Sequence, residues 1–240
     1  MSDRTADQLS EAFVLHTRKY RDTSLIVELL TRDEGRVAAV MRGVRGKRSR
    51  ASGHVRPFSR LLVSWFGRGD LKTIKTTDFP FQNPRLEGEA LYMGFYANEL
   101  LVRLLGKHDP MQDVFLAYGE LINILAGGSS NAALRRFELR LLSALGYGVP
   151  FAWDAGDGSP IDGQATYRFV PEAGFFRVSE PTPGDHFYSG ADLLAMTNLD
   201  FDQPAVDAQA KRIVRASLSA LLGDRPVRSR ELFRPAGQYS

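Results

Sequence analysis

The sequence predicts an α+β fold: an N-terminal five-stranded barrel, then a mainly α-helical half carrying a small β-hairpin insertion. Three observations predict it. Five short runs rich in β-branched and aromatic residues crowd residues 12–77. A proline-punctuated stretch, "PFQNPR" at 80–85, ends that pattern, and the apolar spacing beyond it is helical. Residues 151–188 then return to Gly/Pro-rich sequence around one hairpin signal.

The strand candidates are "AFVLHT" (12–17), "SLIVELLT" (24–31), "RVAAVMR" (36–42), "RLLVSWF" (60–66) and "LKTIKTT" (71–77). The second and third are joined by "RDEG", a hairpin turn whose Gly35 is free to take positive φ. "GRGD" (67–70) makes another tight turn. Five strands in about 70 residues, with no helical period among them, point to a small closed barrel, for which the OB-fold is the natural candidate. Residues 1–10 read as a mobile polar tail.

Past the boundary, Leu91, Phe95, Leu101, Leu104 and Leu105 recur at helical spacing, as do Val114, Tyr118, Leu121, Ile122 and Leu125 before "GGSS". Asn131 is positioned to cap a third helix whose Leu134, Phe137, Leu141 and Leu145 face one way, and Gly146 stands where a helix end favours glycine. "TYRFV" and "GFFRV" form a hairpin around "PEAG", with Ser189 and "PAVD" opening two further helices. In the longer of these, Val206, Ala210, Ile213, Ser217, Leu218 and Leu221 form the buried stripe. The expected division is a tail at 1–10, a barrel at 11–80, and a helical domain at 81–240 with its insertion at about 151–188.

With 240 residues, 43% hydrophobic and 25% charged, the chain has the composition of a soluble globular protein. No apolar run reaches the roughly 18 residues of a membrane span, so no membrane partner is expected. "MSDRTADQLSE" lacks the basic-then-apolar order of a secretory signal. The absence of Cys excludes disulfides and thiolate chemistry and makes a cytoplasmic protein the simplest expectation. Charge is unevenly spread: residues 1–80 carry 16 basic and 9 acidic side chains, net +7, and residues 81–240 carry 15 and 19, net −4. From Gly35 to Gly69 there are nine basic residues and no acid. A one-sign field of this kind suits a polyanion.

Within that run, "GKRS" superficially resembles a nucleotide loop, but the spacing fails. Gly43 precedes Gly46 by three residues, and Arg48 stands where Ser or Thr must follow Lys47. The four His residues (16, 54, 108, 186) are scattered, so no metal site is expected. No Gly-x-Ser-x-Gly elbow or HExxH helix offers hydrolytic chemistry, and no cofactor is implied. Arg36, Arg42, Arg45, Lys47, Arg48, Arg50 and Arg56 can track a phosphate backbone, with Ser49 and Ser52 adding hydrogen bonds. Phe58, Trp65 and Phe66 are the nearby aromatics, able either to stack on bases or to fill the barrel.

"AFVLHTRKYRDTSLIVELLTRDEGRVAAVMRGVRGKRS", "PF" (57–58) and "GRGDLKTIKTTD" resemble the N-terminal domain of the RecO family of bacterial recombination mediators and DNA repair proteins. "LYMGFYANELLVRLL", "LRRFELRLLSALGYGVPF" and "RSRELF" resemble its helical half, extending the likeness from about residue 11 to 234. The resemblance implies an OB-fold followed by a helical domain, with no enzymatic turnover. It implies binding of single- and double-stranded DNA and annealing of complementary strands. It also implies engagement of the acidic C-terminal tail of single-stranded DNA-binding protein (SSB) and, with RecR, loading of RecA onto SSB-coated strands. A monomer is expected. Some family members carry a four-cysteine zinc site where this chain has "FAWDAGDGSPIDG" (151–163), so no zinc is expected here, with packing, turns and Trp153 holding the segment instead. Spacing alone favours both Arg135 and Arg136 as exposed helix cations paired with Glu138 or Glu120; the resemblance reverses this for Arg135, which matches the family's tail-binding arginine, and leaves its neighbour Arg136 open. A nucleic-acid partner is also compatible with an RNA-binding OB-fold protein of translation or RNA decay, and it is the resemblance that selects DNA.

Overall fold

A computed structural model describes residues 9–46, 53–180 and 186–233. Packing divides the chain into two compact units: the residues up to Ser129 together with those from Val227 onward, and Ser130–Pro226. The expected polar tail falls almost wholly outside the described residues.

The first unit opens with β1 (Ser10–Tyr20), β2 (Ser24–Thr31), β3 (Gly35–Met41), β4 (Arg60–Phe66) and β5 (Leu71–Asp78). They close in the order β1-β2-β3-β5-β4, with β4 returning antiparallel to β1 and β3 parallel to β5, an OB-like barrel. Alternation sends Ala12, Val14, Val27, Leu29, Ala39, Leu61 and Val63 inward, and Val44 and Val55, from the segment between β3 and β4, join the same core. Gly35 takes φ +67 in the "RDEG" turn, where the Thr31 hydroxyl donates to its carbonyl at 2.8 Å.

β1 is apolar on its outward side too, which explains where the next helices go. α1 (Gly88–Leu104) and α2 (Gln112–Leu125) belong to the barrel's unit, so division by packing differs from division of the sequence near residue 80. Phe13 meets Phe115 and Tyr118, each with ring centroids at 5.1 Å. Beneath them the Tyr118 hydroxyl donates to Asn98 Oδ1 at 2.6 Å, and Asn98 Nδ2 donates to the Leu15 carbonyl at 2.7 Å. Burial drives the Tyr118 phenol far above its ordinary value, so it remains a donor.

The C-terminal "RSRELF" forms a 3₁₀ turn, Arg228–Phe233, on α1. Glu99 accepts the backbone N–H of Arg228 at 2.9 Å and of Ser229 at 2.7 Å. Phe233 lies edge-on to Tyr92, and the Arg230 guanidinium covers the Tyr96 ring. Burial pushes the Glu99 carboxyl up, but the hydrogen bonds from Ser229 and Arg228 and the charge of Arg103 outweigh it, so its value lies below the ordinary one. A depressed carboxylate stabilises the fold above its unfolded pKa and loses that contribution as pH falls through the folded value. We therefore expect Glu99→Gln to cost about 1 kcal/mol at neutral pH. It should speed amide exchange at residues 227–233, and wild type and variant should converge in acid; identical exchange at pH 7 would remove Glu99 as the anchor.

The second unit contains α3 (Asn131–Ala144), a turn-rich stretch, β6 (Thr166–Val170), β7 (Gly174–Arg177), β8 (Phe187–Ser189), α4 (Gly190–Thr197) and α5 (Pro204–Leu222). The predicted hairpin is present and gains β8 as a third strand, order β7-β6-β8. Three residues are too few for β8 to register as a sequence pattern. The α3 cap is Ser130, whose hydroxyl accepts the Ala133 N–H at 3.2 Å; Asn131, expected as the cap, is the first helical residue. Ser189 caps α4, and Pro204 opens α5, as the sequence indicates. Gly146 takes φ +85 after α3.

Candidate nucleic-acid interface

Strand register assembles a surface on the outside of the barrel. Pairings Arg18↔Ile26, Ile26↔Val40, Val40↔Thr73 and Thr73↔Phe66 run one cross-strand row through all five strands. A second row, two residues along, joins His16, Glu28, Ala38 and Leu71. With the odd-numbered residues of β2 and β3 filling the barrel, these side chains point outward. A shallow cleft here is lined by His16, Arg18, Ile26, Ala38, Leu71 and the ion pair Lys107–Asp70. Lys107 Nζ donates to Asp70 at 3.0 Å, and this contact holds the Asp70 carboxyl below its usual range. Glu28, also in the cleft, is ion-paired with Arg36.

The cations of the acid-free run separate into ties and free charges. Arg36 is mostly buried: it holds Glu28 and donates through Nε to the Leu105 carbonyl at 3.2 Å. Arg60 likewise holds Glu11 and lies over the Phe81 ring at 4.4 Å. Arg42, Arg45 and Arg56 are exposed, Arg45 making one 3.3 Å hydrogen bond to the Arg21 carbonyl. Lys47, Arg48 and Arg50, expected as phosphate contacts, lie outside the described residues, as do Ser49 and Ser52. Arg18, Lys19 and Arg21 are exposed as well, although they lie before the acid-free window and so outside the charge pattern of the sequence. Register alone brings Arg18 into line with Phe66.

The three candidate aromatics also separate. Phe58 is buried against Phe95, with centroids at 5.2 Å, and Trp65 packs on the barrel core. Phe66 is 51% exposed. Of these three only Phe66 can present a ring to a base.

In the second unit Arg135 is 4% exposed, ion-paired to Glu138 on its own helix and to Asp207 of α5 at 3.4 Å. Arg135 Nε and Asp207 Oδ1 face each other without a hydrogen bond among the described residues. Arg136 is half-buried, donating to the Leu199 carbonyl at 3.3 Å and lying 3.8 Å from Asp202. Leu199 has φ +55, a conformation rare for its residue type, so Arg136 braces a strained turn. That turn walls an apolar groove lined by Leu139, Val149, Phe151, Trp153, Met196 and Leu199, with Arg140 beside them.

The 151–163 segment is held by carboxylates serving as turn acceptors. Asp154, itself buried, accepts the Gly156 N–H at 2.8 Å, and Asp157 accepts that of Ser159 at 2.8 Å. Hydrogen bonds from Ser159 lower the Asp157 carboxyl. Phe151 and Ile161 are the buried anchors; Trp153, expected in that role, is 54% exposed because its side chain faces the groove. Among the described residues no group of three or more His, Asp or Glu is arranged to hold a metal ion, and no helix is long and apolar enough to cross a membrane.

Residues 6–79 match the family model described as "Recombination protein O N terminal", and residues 85–231 match "Recombination protein O C terminal". A protein of Yersinia pestis (strain Pestoides F) named "DNA repair protein RecO" is 41% identical over 230 residues, covering 95% of each chain. Its namesake in Yersinia enterocolitica is 42% identical over 225 residues, covering 93% of this chain and 92% of that protein. With both halves matched and nearly the full length aligned, the chain belongs to the RecO family of DNA repair proteins.

Proposed function

We propose that this chain is a DNA-binding recombination mediator that works by binding and exchange, without catalytic turnover, as a monomer in the cytoplasm. The barrel unit holds single- and double-stranded DNA by the phosphate backbone and anneals complementary strands, its cations screening the repulsion between two chains held close together. The observation that carries the reading is the set of exposed arginines, Arg42, Arg45 and Arg56, in a stretch without a single acid. Lys47, Arg48 and Arg50 extend the same charge in the sequence, whereas Arg36 is engaged by Glu28 on the outer wall of the barrel.

The groove of the second unit takes the acidic, apolar-ended tail of SSB, bringing the mediator to covered DNA, where with RecR it promotes RecA loading. Arg136 meets the tail at the surface of α3. Arg135 reaches it by exchanging Asp207 or Glu138 for a tail carboxylate. Support for this comes from the apolar lining and the neighbouring cations.

Salt-titrated binding tests the DNA contact. In Arg42→Ala/Arg45→Ala/Arg56→Ala, duplex affinity should fall and the log–log salt slope should become shallower by about 0.9 for each phosphate that is no longer neutralised. Unchanged affinity and slope would sink it, and a strong preference for a matched RNA oligomer would move the reading to RNA.

A further inference from the structure

Tyr147, just past the end of α3, is 44% exposed and has no part in the sites above. It lines a separate cavity of about 210 Å³ with Gly146, Pro150, Phe169, Glu172 and Ser217, all within the second unit. The polar groups here accept hydrogen bonds. Ser217 Oγ spends its proton on the Ile213 carbonyl at 3.1 Å and is left as an acceptor. The N–H groups of Gly146 and Tyr147 are already spent on the Ser143 and Leu142 carbonyls. Among the described residues Glu172 has no ion-pair or hydrogen-bond partner, and no basic side chain lines the cavity. α3 ends directly before Gly146, so the negative end of its dipole lies at the cavity, and its last turn carries no cation to offset it. Glu172 also holds φ +66, a conformation that favours glycine, so the carboxylate is kept at a backbone position that does not suit it.

We infer that this cavity receives an arginine side chain from an exposed segment of a protein partner. The Glu172 carboxylate pairs with the guanidinium, Ser217 Oγ accepts one of its N–H groups, and the Tyr147 ring lies along its face. Charge complementarity selects a cation: the carboxylate and the helix end both attract one, and both repel a phosphate, so nucleic acid is not the occupant. The aromatic wall selects a guanidinium over an ammonium, because a planar cation stacks on a ring while its N–H fork meets a carboxylate. Size selects a side chain over a free small molecule, since 210 Å³ lies below the range of about 300 Å³ upward typical of pockets that enclose one. This contact has the opposite charge sense to the groove proposed for the acidic tail, and it depends on neither that reading nor the DNA-binding one.

The test titrates the full chain, free of DNA, with a Gly/Ser peptide carrying one central arginine, and with the same peptide carrying citrulline there. Citrulline keeps the planar shape and loses the charge. NMR shifts of the Gly146, Tyr147 and Gly148 amides report binding. The arginine peptide should bind about tenfold more tightly than the citrulline peptide. Glu172→Gln should weaken it by about tenfold while leaving the urea midpoint unchanged, which separates lost recognition from lost folding. Tyr147→Ala should weaken it about fivefold, and Tyr147→Phe, which keeps the ring, should bind close to wild type. Absence of shifts at residues 146–148, equal binding of the two peptides, or wild-type affinity in Glu172→Gln would overturn the inference. The DNA and tail readings stand or fall separately, because these variants leave Arg42, Arg45, Arg56 and Arg136 in place.

Discussion

Replacing Arg135 with alanine is expected to destabilise the second unit by about 3–5 kcal/mol. The guanidinium is 4% exposed and lies between the Glu138 and Asp207 carboxylates. Removing it takes the guanidinium's charge from two largely buried carboxylates and leaves a cavity where the side chain was. Urea unfolding, with amide exchange to place the loss in α3 and α5, measures this. A loss below about 1 kcal/mol would show that the carboxylates readily reach water or other partners. Replacing the triad with apolar residues, Arg135→Met, Glu138→Leu and Asp207→Leu, should bring stability back towards wild type, since a buried ion group is often no more stable than a hydrophobic one of similar volume. That variant also separates fold from recognition. If it folds and no longer binds an acidic tail peptide, the charge of Arg135 serves the partner; if it folds and binds as before, Arg135 is only a tie between α3 and α5.

The second large effect is expected at Asn98, in the barrel's own unit. Asn98→Leu removes the acceptor for the Tyr118 hydroxyl and the donor to the Leu15 carbonyl. Tyr118 is completely buried and its burial keeps the phenol protonated, so its O–H must find an acceptor or remain unmet. Two unmet buried groups at about 1–3 kcal/mol each place the loss at roughly 2–4 kcal/mol, allowing for partial rearrangement. Tyr118→Phe alone should cost less, and the double variant less than the sum, because only the Leu15 carbonyl then stays unsatisfied. Additive losses in a denaturant series would show that the two side chains do not act as a relay. The relay ties β1 to both α1 and α2, so the variant should also loosen those helices in amide exchange while the barrel strands keep their protection.

Much of this architecture was legible in the residues. The alternation of "SLIVELLT" and "RVAAVMR" about a glycine turn, and the helical spacing of the later segments, are local patterns that name their own elements. Positions set by distant neighbours were not legible. β8 is three residues long and exists because β6 offers it an edge. Trp153 looks like an anchor by residue type, yet Phe151 and Ile161 fill the core and leave its ring in the groove. Arg36 and Arg42 stand on the same strand run and look alike in sequence. One is bound into Glu28 and Leu105, and the other faces solvent.

By itself the sequence determined the class of the barrel, the order of its strands and helices, the family resemblance and the acid-free run, because each depends on residue type and short-range spacing. The tertiary structure alone decided which cations are free, which aromatic is exposed, and that Arg18 and Phe66 end one row. The reason is physical: exposure, ion pairing and cross-strand alignment depend on what lies opposite a side chain, and those neighbours are up to tens of residues away along the chain.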